Sequence, residues 1–160
     1  MNTLLPPHIY EQIDNAIQKY PAGQQRAAVK AALMLAQDFN HGWLTTELMD
    51  EIAAYLKLSP IAVYEVASFY SLFELKPVGR YKISFCTNVS CYLRGCEEIA
   101  DHLKKKLNIQ FGETTSDKKF TLKEVECLAA CTQAPALQIN SQYYGPVTIE
   151  SLDQILEDLE

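Results

Sequence analysis

The residues with most chemistry to offer are cysteines. Four of the five fall in two pairs, Cys86-Thr-Asn-Val-Ser-Cys91 and Cys127-Leu-Ala-Ala-Cys131, with a long insert between them. Such a set fits three chemistries: a disulfide framework, a structural zinc or an iron–sulfur cluster. Disulfides belong to oxidising compartments and to chains too small to build a core. This chain has 160 residues, 48% of them apolar, and its first residues do not read as a secretory signal. Structural zinc usually takes tight Cys-x-x-Cys knuckles, because one tetrahedral ion needs both thiolates of a turn at short range. Neither pair has that spacing. A [2Fe-2S] rhomb presents two irons, each wanting two thiolates, so wider loops can reach around it. The pairing suits that cluster best.

The elements around the pairs support this. Tyr81-Lys82-Ile83-Ser84-Phe85 alternates apolar and polar side chains as a half-buried strand does, and it runs directly into Cys86. From about Ser90 the pattern becomes Leu93, Cys96, Ala100, Leu103 and Leu107, an apolar stripe at helical spacing. Cys91 is thereby expected in the first turn of a helix, where free N–H groups and the macrodipole favour a thiolate. The scheme repeats downstream. Phe120 to Val125 reads as a strand leading to Cys127, and Leu128 to Cys131 as a tight loop of small residues through which backbone amides can approach sulfur.

With those residues in view, the sequence resembles a known family. Cys86-Thr-Asn-Val-Ser-Cys91, then Leu93-Arg94-Gly95, then Val125-Glu126-Cys127-Leu128-Ala129-Ala130-Cys131-x-x-Ala134-Pro135 is similar to the small thioredoxin-like [2Fe-2S] subunit of NADH:quinone oxidoreductase, respiratory complex I, the E-type subunit in bacteria. The likeness extends upstream to Val66-Ala67-Ser68-Phe69-Tyr70-Ser71-Leu72-Phe73 and downstream to the end. It implies an α+β (α/β) architecture, with a small N-terminal helical bundle over residues 1–75 and a thioredoxin-like [2Fe-2S] ferredoxin domain over 76–160. It also implies one [2Fe-2S] cluster on Cys86, Cys91, Cys127 and Cys131, serving as cofactor-binding and metal ligands alike. Two departures stand out. Ala129 occupies a place where glycine is common, which puts the backbone there in question, and Cys96 replaces a small non-cysteine residue. Cys96 shares the stripe of Leu93 and Ala100 and reads as a packing residue, since free cysteine is among the most buried types.

Composition narrows the partners. A net charge of −6 argues against nucleic acid, whose binding needs a basic face. From Glu124 to Glu160 there is no Lys or Arg. That stretch reads as a solvated acidic surface; the sharper alternative is that carboxylates hold the cluster potential low, an effect weakened by screening. No apolar run approaches the roughly 20 residues a membrane-spanning helix needs. The N-terminal residues read as those of a bacterial cytoplasmic protein, and the resemblance implies a place in the peripheral arm of a membrane-bound complex.

Residues 7 to 73 carry helical periodicity. The four stripes are Ile9, Ile13, Ile17 and Tyr20; Val29, Ala32, Leu33, Ala36 and Phe39; Leu48, Ile52, Tyr55 and Leu56; and Val63, Val66, Ala67 and Tyr70. Thr45 or Thr46 and Ser59 are N-cap candidates, the latter followed by Pro60 at the first helical position. Such helices make a small bundle, in which nothing looks catalytic. Phe69, Tyr70 and Phe73 read as packing between bundle and cluster domain. Lys76 to Arg80 reads as a linker and Asn108 to Lys119 as a polar loop. A strand is expected over Ala136–Asn140, a turn into Tyr143-Tyr144, and a helix from Thr148 with Leu152, Ile155, Leu156 and Leu159 inward. Pro135 lies where thioredoxin-like folds often have a cis peptide. His8, His41 and His102 are scattered, adjoin neither pair, and read as surface residues.

What is missing shapes the mechanism. There is no Gly-rich phosphate loop for NADH or flavin and no Cys-x-x-Cys for disulfide exchange, so this chain alone carries no complete active site. The resemblance implies that single electrons pass between the cluster and FMN on the neighbouring NADH-binding, F-type subunit, with the G-type subunit in the same arm. An equivalent diaphorase subunit of an NAD-linked hydrogenase or formate dehydrogenase has the same cysteine chemistry. A zinc-stabilised binding module on the same thiolates is the alternative of another class.

Overall fold

The computed structural model describes residues 4–159, and the chain divides into two units, Met1–Pro77 and Val78–Glu160. The first unit holds α1 (Pro7–Ile17), α2 (Val29–Phe39), α3 (Thr46–Tyr55) and α4 (Pro60–Phe69). Proline opens α1 and α4, where its fixed φ suits the first turn and its missing N–H costs nothing. Thr45 caps α3, its side chain accepting the Leu48 N–H at 3.2 Å. Ser59 occupies the N-cap position of α4 with no side-chain capping bond. The four stripes meet in one core that includes Ile13, Leu33, Ile52, Val63 and Phe73.

Some expectations fail at helix ends. Helix α1 stops at Ile17, so Tyr20 falls out of phase and is exposed. Phe39 is the last residue of α2, before the chain turns through left-handed His41 and Gly42, and it too is exposed. Only Phe73 of the aromatic run is buried; Phe69 is 80% exposed and Tyr70 is exposed. Buried Gln37 sets this outcome. Its amide donates to the Leu72 carbonyl and accepts the Glu74 N–H at 2.7 Å, clamping the chain after α4 so that Phe73 turns inward.

The second unit is a four-stranded sheet of order β2-β1-β3-β4, built from β1 (Tyr81–Cys86), β2 (Phe120–Val125), β3 (Leu137–Ile139) and β4 (Gln142–Tyr144). Strands β1 and β2 are parallel; β1–β3 and β3–β4 are antiparallel. A parallel pair needs a crossover, supplied here by α5 (Val89–Tyr92) and α6 (Cys96–Leu107), and α7 (Ile149–Asp158) closes the unit. Ile99 and Leu103 of α6 and Leu152 and Leu156 of α7 share one core with Ile83 and Phe85 of the central strand. Helix α7 starts in a reciprocal capping box between Thr148 and Ser151. The end of the expected linker is tied to the strand beside it. Gly79 is buried, its N–H donating to Thr121 Oγ1 at 2.6 Å, and Arg80 and Tyr81 bond to the Lys118 and Lys119 carbonyls. The Ala134–Pro135 and Gly145–Pro146 peptides are cis.

Candidate metal centre

Parallel pairing decides where the cysteines go. Cys86 is registered against Val125, so β1 and β2 end side by side and both cysteine loops leave the same end of the sheet. The strand ends are tied further on. The Thr87 N–H donates to the Val125 carbonyl at 3.3 Å, and the Cys86 N–H to the Ala136 carbonyl at 3.2 Å. Cys86 Sγ lies 3.9 Å from the Glu126 carbonyl oxygen, next to Cys127 in sequence.

The first loop enters the core at once. Asn88 accepts the Val89 N–H at 2.7 Å and starts α5, whose third residue is Cys91. Cys86 is 4% and Cys91 2% exposed. The single helix expected from Ser90 is interrupted. Gly95 adopts a left-handed φ of 80°, and α6 restarts at Cys96. Leu93 therefore leaves the predicted stripe and is 77% exposed, while Cys96, Ala100 and Leu103 keep it. One helical turn sums few peptide dipoles, so burial dominates at Cys91. Its thiol is pushed up to about 11, first by desolvation and then by the adjacent Cys86 thiol, against the pull of the Ala136 N–H bonded to it.

The second loop is built differently. Cys127 and Cys131 are both exposed. Between them Ala129 takes φ 56°, the left-handed conformation that suits glycine, and carries a Cβ there. That conformation accompanies an N–H···S bond, Ala129 N to Cys127 Sγ at 3.2 Å. The chain then makes a turn over Cys131–Gln133, with the Gln133 N–H on the Ala130 carbonyl at 2.9 Å. Behind it lies Gly145, where an added Cβ would fall 2.3 Å from the Gln133 carbonyl oxygen.

None of the five cysteines is joined in a disulfide. Four soft thiol donors at one end of a sheet, with amide N–H groups aimed at two of the sulfurs, fit an iron–sulfur group. Among the described residues, no three histidine, cysteine or carboxylate side chains converge as ligands of one ion. Cys96, 1% exposed, packs in the core beside the site and lines a pocket of about 350 Å³ with Tyr92, Glu97, Phe111 and Glu124. Its thiol is raised, mainly by burial and then by Glu97. His8 and His41 are exposed, and His102 is half-buried with Nε2 2.8 Å from Asp153 Oδ1. Two contributors escape sequence reasoning: Ala136, which meets Cys86 and Cys91 through its backbone alone, and Gly145, whose value is the space it leaves.

Comparison with known proteins agrees with this picture. The family profile of the thioredoxin-like [2Fe-2S] ferredoxins matches residues 13–160. The chain is 43% identical over 145 residues to the E-type subunit of the NADH-quinone oxidoreductase of Rickettsia felis, covering 91% of this chain and 87% of the relative. It is 44% identical over 147 residues to the E-type subunit numbered 2 of the same oxidoreductase in Rhizobium meliloti, covering 92% and 86%. Among solved structures, an NAD+-reducing [NiFe]-hydrogenase in its air-oxidised state superposes with a TM-score of 0.67 at 27% identity, over 79% of this chain and 22% of the hydrogenase chain.

Proposed function

Because the chain belongs to the thioredoxin-like [2Fe-2S] ferredoxin family, we infer that it is an electron-transfer subunit in which Cys86, Cys91, Cys127 and Cys131 hold one [2Fe-2S] cluster. The observation that carries the ligand assignment is the β1–β2 register, which brings both cysteine loops out at one end of the sheet. When bound, the group supplies reversible one-electron transfer. The chain's own part is to bind and insulate. The first loop excludes water from two of the thiolates, and the second presents the other two to solvent. The Ala129 and Ala136 amides donate to sulfur and so favour its negative charge.

The host assembly is read from the relatives. Identity of 43–44% over nine-tenths of the chain to NADH-quinone oxidoreductase subunits supports that complex. The NADH- and FMN-binding, F-type subunit is then the electron partner, the G-type subunit lies in the same peripheral arm, and the arm faces the cytoplasm. Among the described residues no helix is long and apolar enough to cross a membrane. The chain is thus one subunit of an oxidoreductase, with flavin and nicotinamide chemistry on its partner. The hydrogenase superposition favours a second reading, the same role in an NAD+-reducing hydrogenase, where the matched segment is 22% of a longer chain.

The test is low-temperature electron paramagnetic resonance before and after dithionite, with iron, sulfide and zinc analysis. The expected result is a silent oxidised sample, a spin-half signal on reduction, and iron and sulfide in equal amounts. Cys127→Ser should lose or destabilise the cluster while the helical unit stays folded. Unchanged iron in that variant would remove Cys127 from the ligand set, and zinc without any signal would make the site a structural clasp. Purification with a flavin-binding subunit or with a hydrogenase separates the two hosts.

A further inference from the structure

Resting on the cluster reading above, we propose that Cys127 and Cys131 hold the iron that takes up the electron, while the iron held by Cys86 and Cys91 stays ferric. Among the described residues the pairs differ little in amide hydrogen bonds to sulfur: Ala136 donates to Cys91 and Ala129 to Cys127. They differ sharply in solvent. Cys86 and Cys91 are 4% and 2% exposed and share a core with Ile83, Phe85, Cys96 and Ile99, whereas Cys127 and Cys131 are exposed.

Reduction converts one ferric ion to ferrous by adding one electron, here from the partner's reduced flavin or from dithionite, with no bond made or broken and no proton required. It adds one negative charge to a site that is already anionic. Placing that charge among apolar side chains costs the solvation water would have given; placing it where water reaches the sulfurs does not. The opposing influence is carboxylate charge, since Glu124 and Glu126 flank the second loop. Both are exposed, so water and salt screen them, and solvent access decides the site.

The experiment uses the full chain, purified anaerobically with Mössbauer-active iron, reduced with dithionite, and compared with four single variants: Cys86→Ser, Cys91→Ser, Cys127→Ser and Cys131→Ser. A serine ligand changes the spectrum of the iron it binds. Serine at Cys127 or Cys131 should shift the ferrous component, leave the ferric one as in the wild type, and lower the reduction potential, because a harder oxygen ligand disfavours the ferrous ion. Serine at Cys86 or Cys91 should shift the ferric component and move the potential less. The reverse pattern, or two equivalent irons in the reduced wild type, overturns the proposal while leaving the cluster reading in place. A wild type without equal iron and sulfide overturns the cluster reading itself. Should serine variants lose the cluster, cysteine β-proton resonances of the reduced wild type give the same answer. Ligands of ferric and ferrous ions in a coupled pair shift oppositely with temperature, and selective labelling of the unique Cys91-Tyr92 and Cys127-Leu128 pairs assigns one ligand of each iron.

Discussion

The two cysteine loops leave neighbouring parallel strands at the same end of one sheet, yet they are held by opposite means. The first is held by packing: its sulfurs lie in the core, and a capped helical turn and the Ala136 backbone close around them. The second is held by backbone form: an exposed loop with one left-handed residue, one N–H···S bond and a close approach of Gly145 from behind. Two loops proposed to share one cofactor thus need not have similar supports. One loop takes its order from the hydrophobic core and the other from conformational detail, so each should yield to a different kind of damage.

The largest damage should come from emptying the first loop's seat. Phe85, fully buried and adjacent to Cys86, packs in the core with Cys91 and Ile99. Phe85→Ala should cost about 3–5 kcal/mol, measured by chemical denaturation, and lower the bound iron. Leu128→Ala on the half-buried second loop should cost only about 1 kcal/mol. Equal losses would break the contrast between the loops.

A second variant attacks backbone form. Gly145→Ala would set a Cβ 2.3 Å from the Gln133 carbonyl oxygen, with neither backbone free to yield without moving the Cys131 turn. The expected cost is about 1–3 kcal/mol, with a lower content of bound iron while the helical unit keeps its melting transition. A third test removes the cluster by chelation under reductant and follows amide hydrogen exchange. The Cys86 and Thr87 amides, bonded to Ala136 and Val125, should stay protected. Amides over Leu128–Cys131 should exchange at least about tenfold faster, equivalent to about 1.4 kcal/mol of lost local stability.

How far the sequence foretold each loop follows the same division. Periodicity located the bundle helices, both strands that feed the cysteines, the helix after Cys96 and the last helix, because burial repeats along an element. It failed where a single backbone angle intervened. Gly95 breaks the expected helix and turns Leu93 out to solvent. The four candidate ligands were legible as types and spacings. That both loops leave the same end of the sheet was not, since it depends on the parallel register of β1 with β2, and neither strand's pattern names its partner. Ala136 and Gly145 carry no side-chain signal at all: one contributes backbone groups and the other contributes space.

Ala129 gives the smallest and most discriminating test. At φ 56° its Cβ crowds the following carbonyl, which costs about 1–2 kcal/mol relative to a residue without a side chain. Glycine would relieve that crowding but lose about 0.5–1 kcal/mol to the freedom of the unfolded chain. Ala129→Gly should therefore stabilise the second unit by about 0.5–1 kcal/mol, with the N–H still available to Cys127 Sγ. Stability by denaturant titration and the reduction potential, measured together, separate two roles for the residue. A more stable protein with an unchanged potential means that Ala129 only bears strain while its amide tunes the sulfur. A shifted potential means that the rigidity of alanine itself holds the amide on the sulfur, and the second loop is then tuned by the same side chain that strains it.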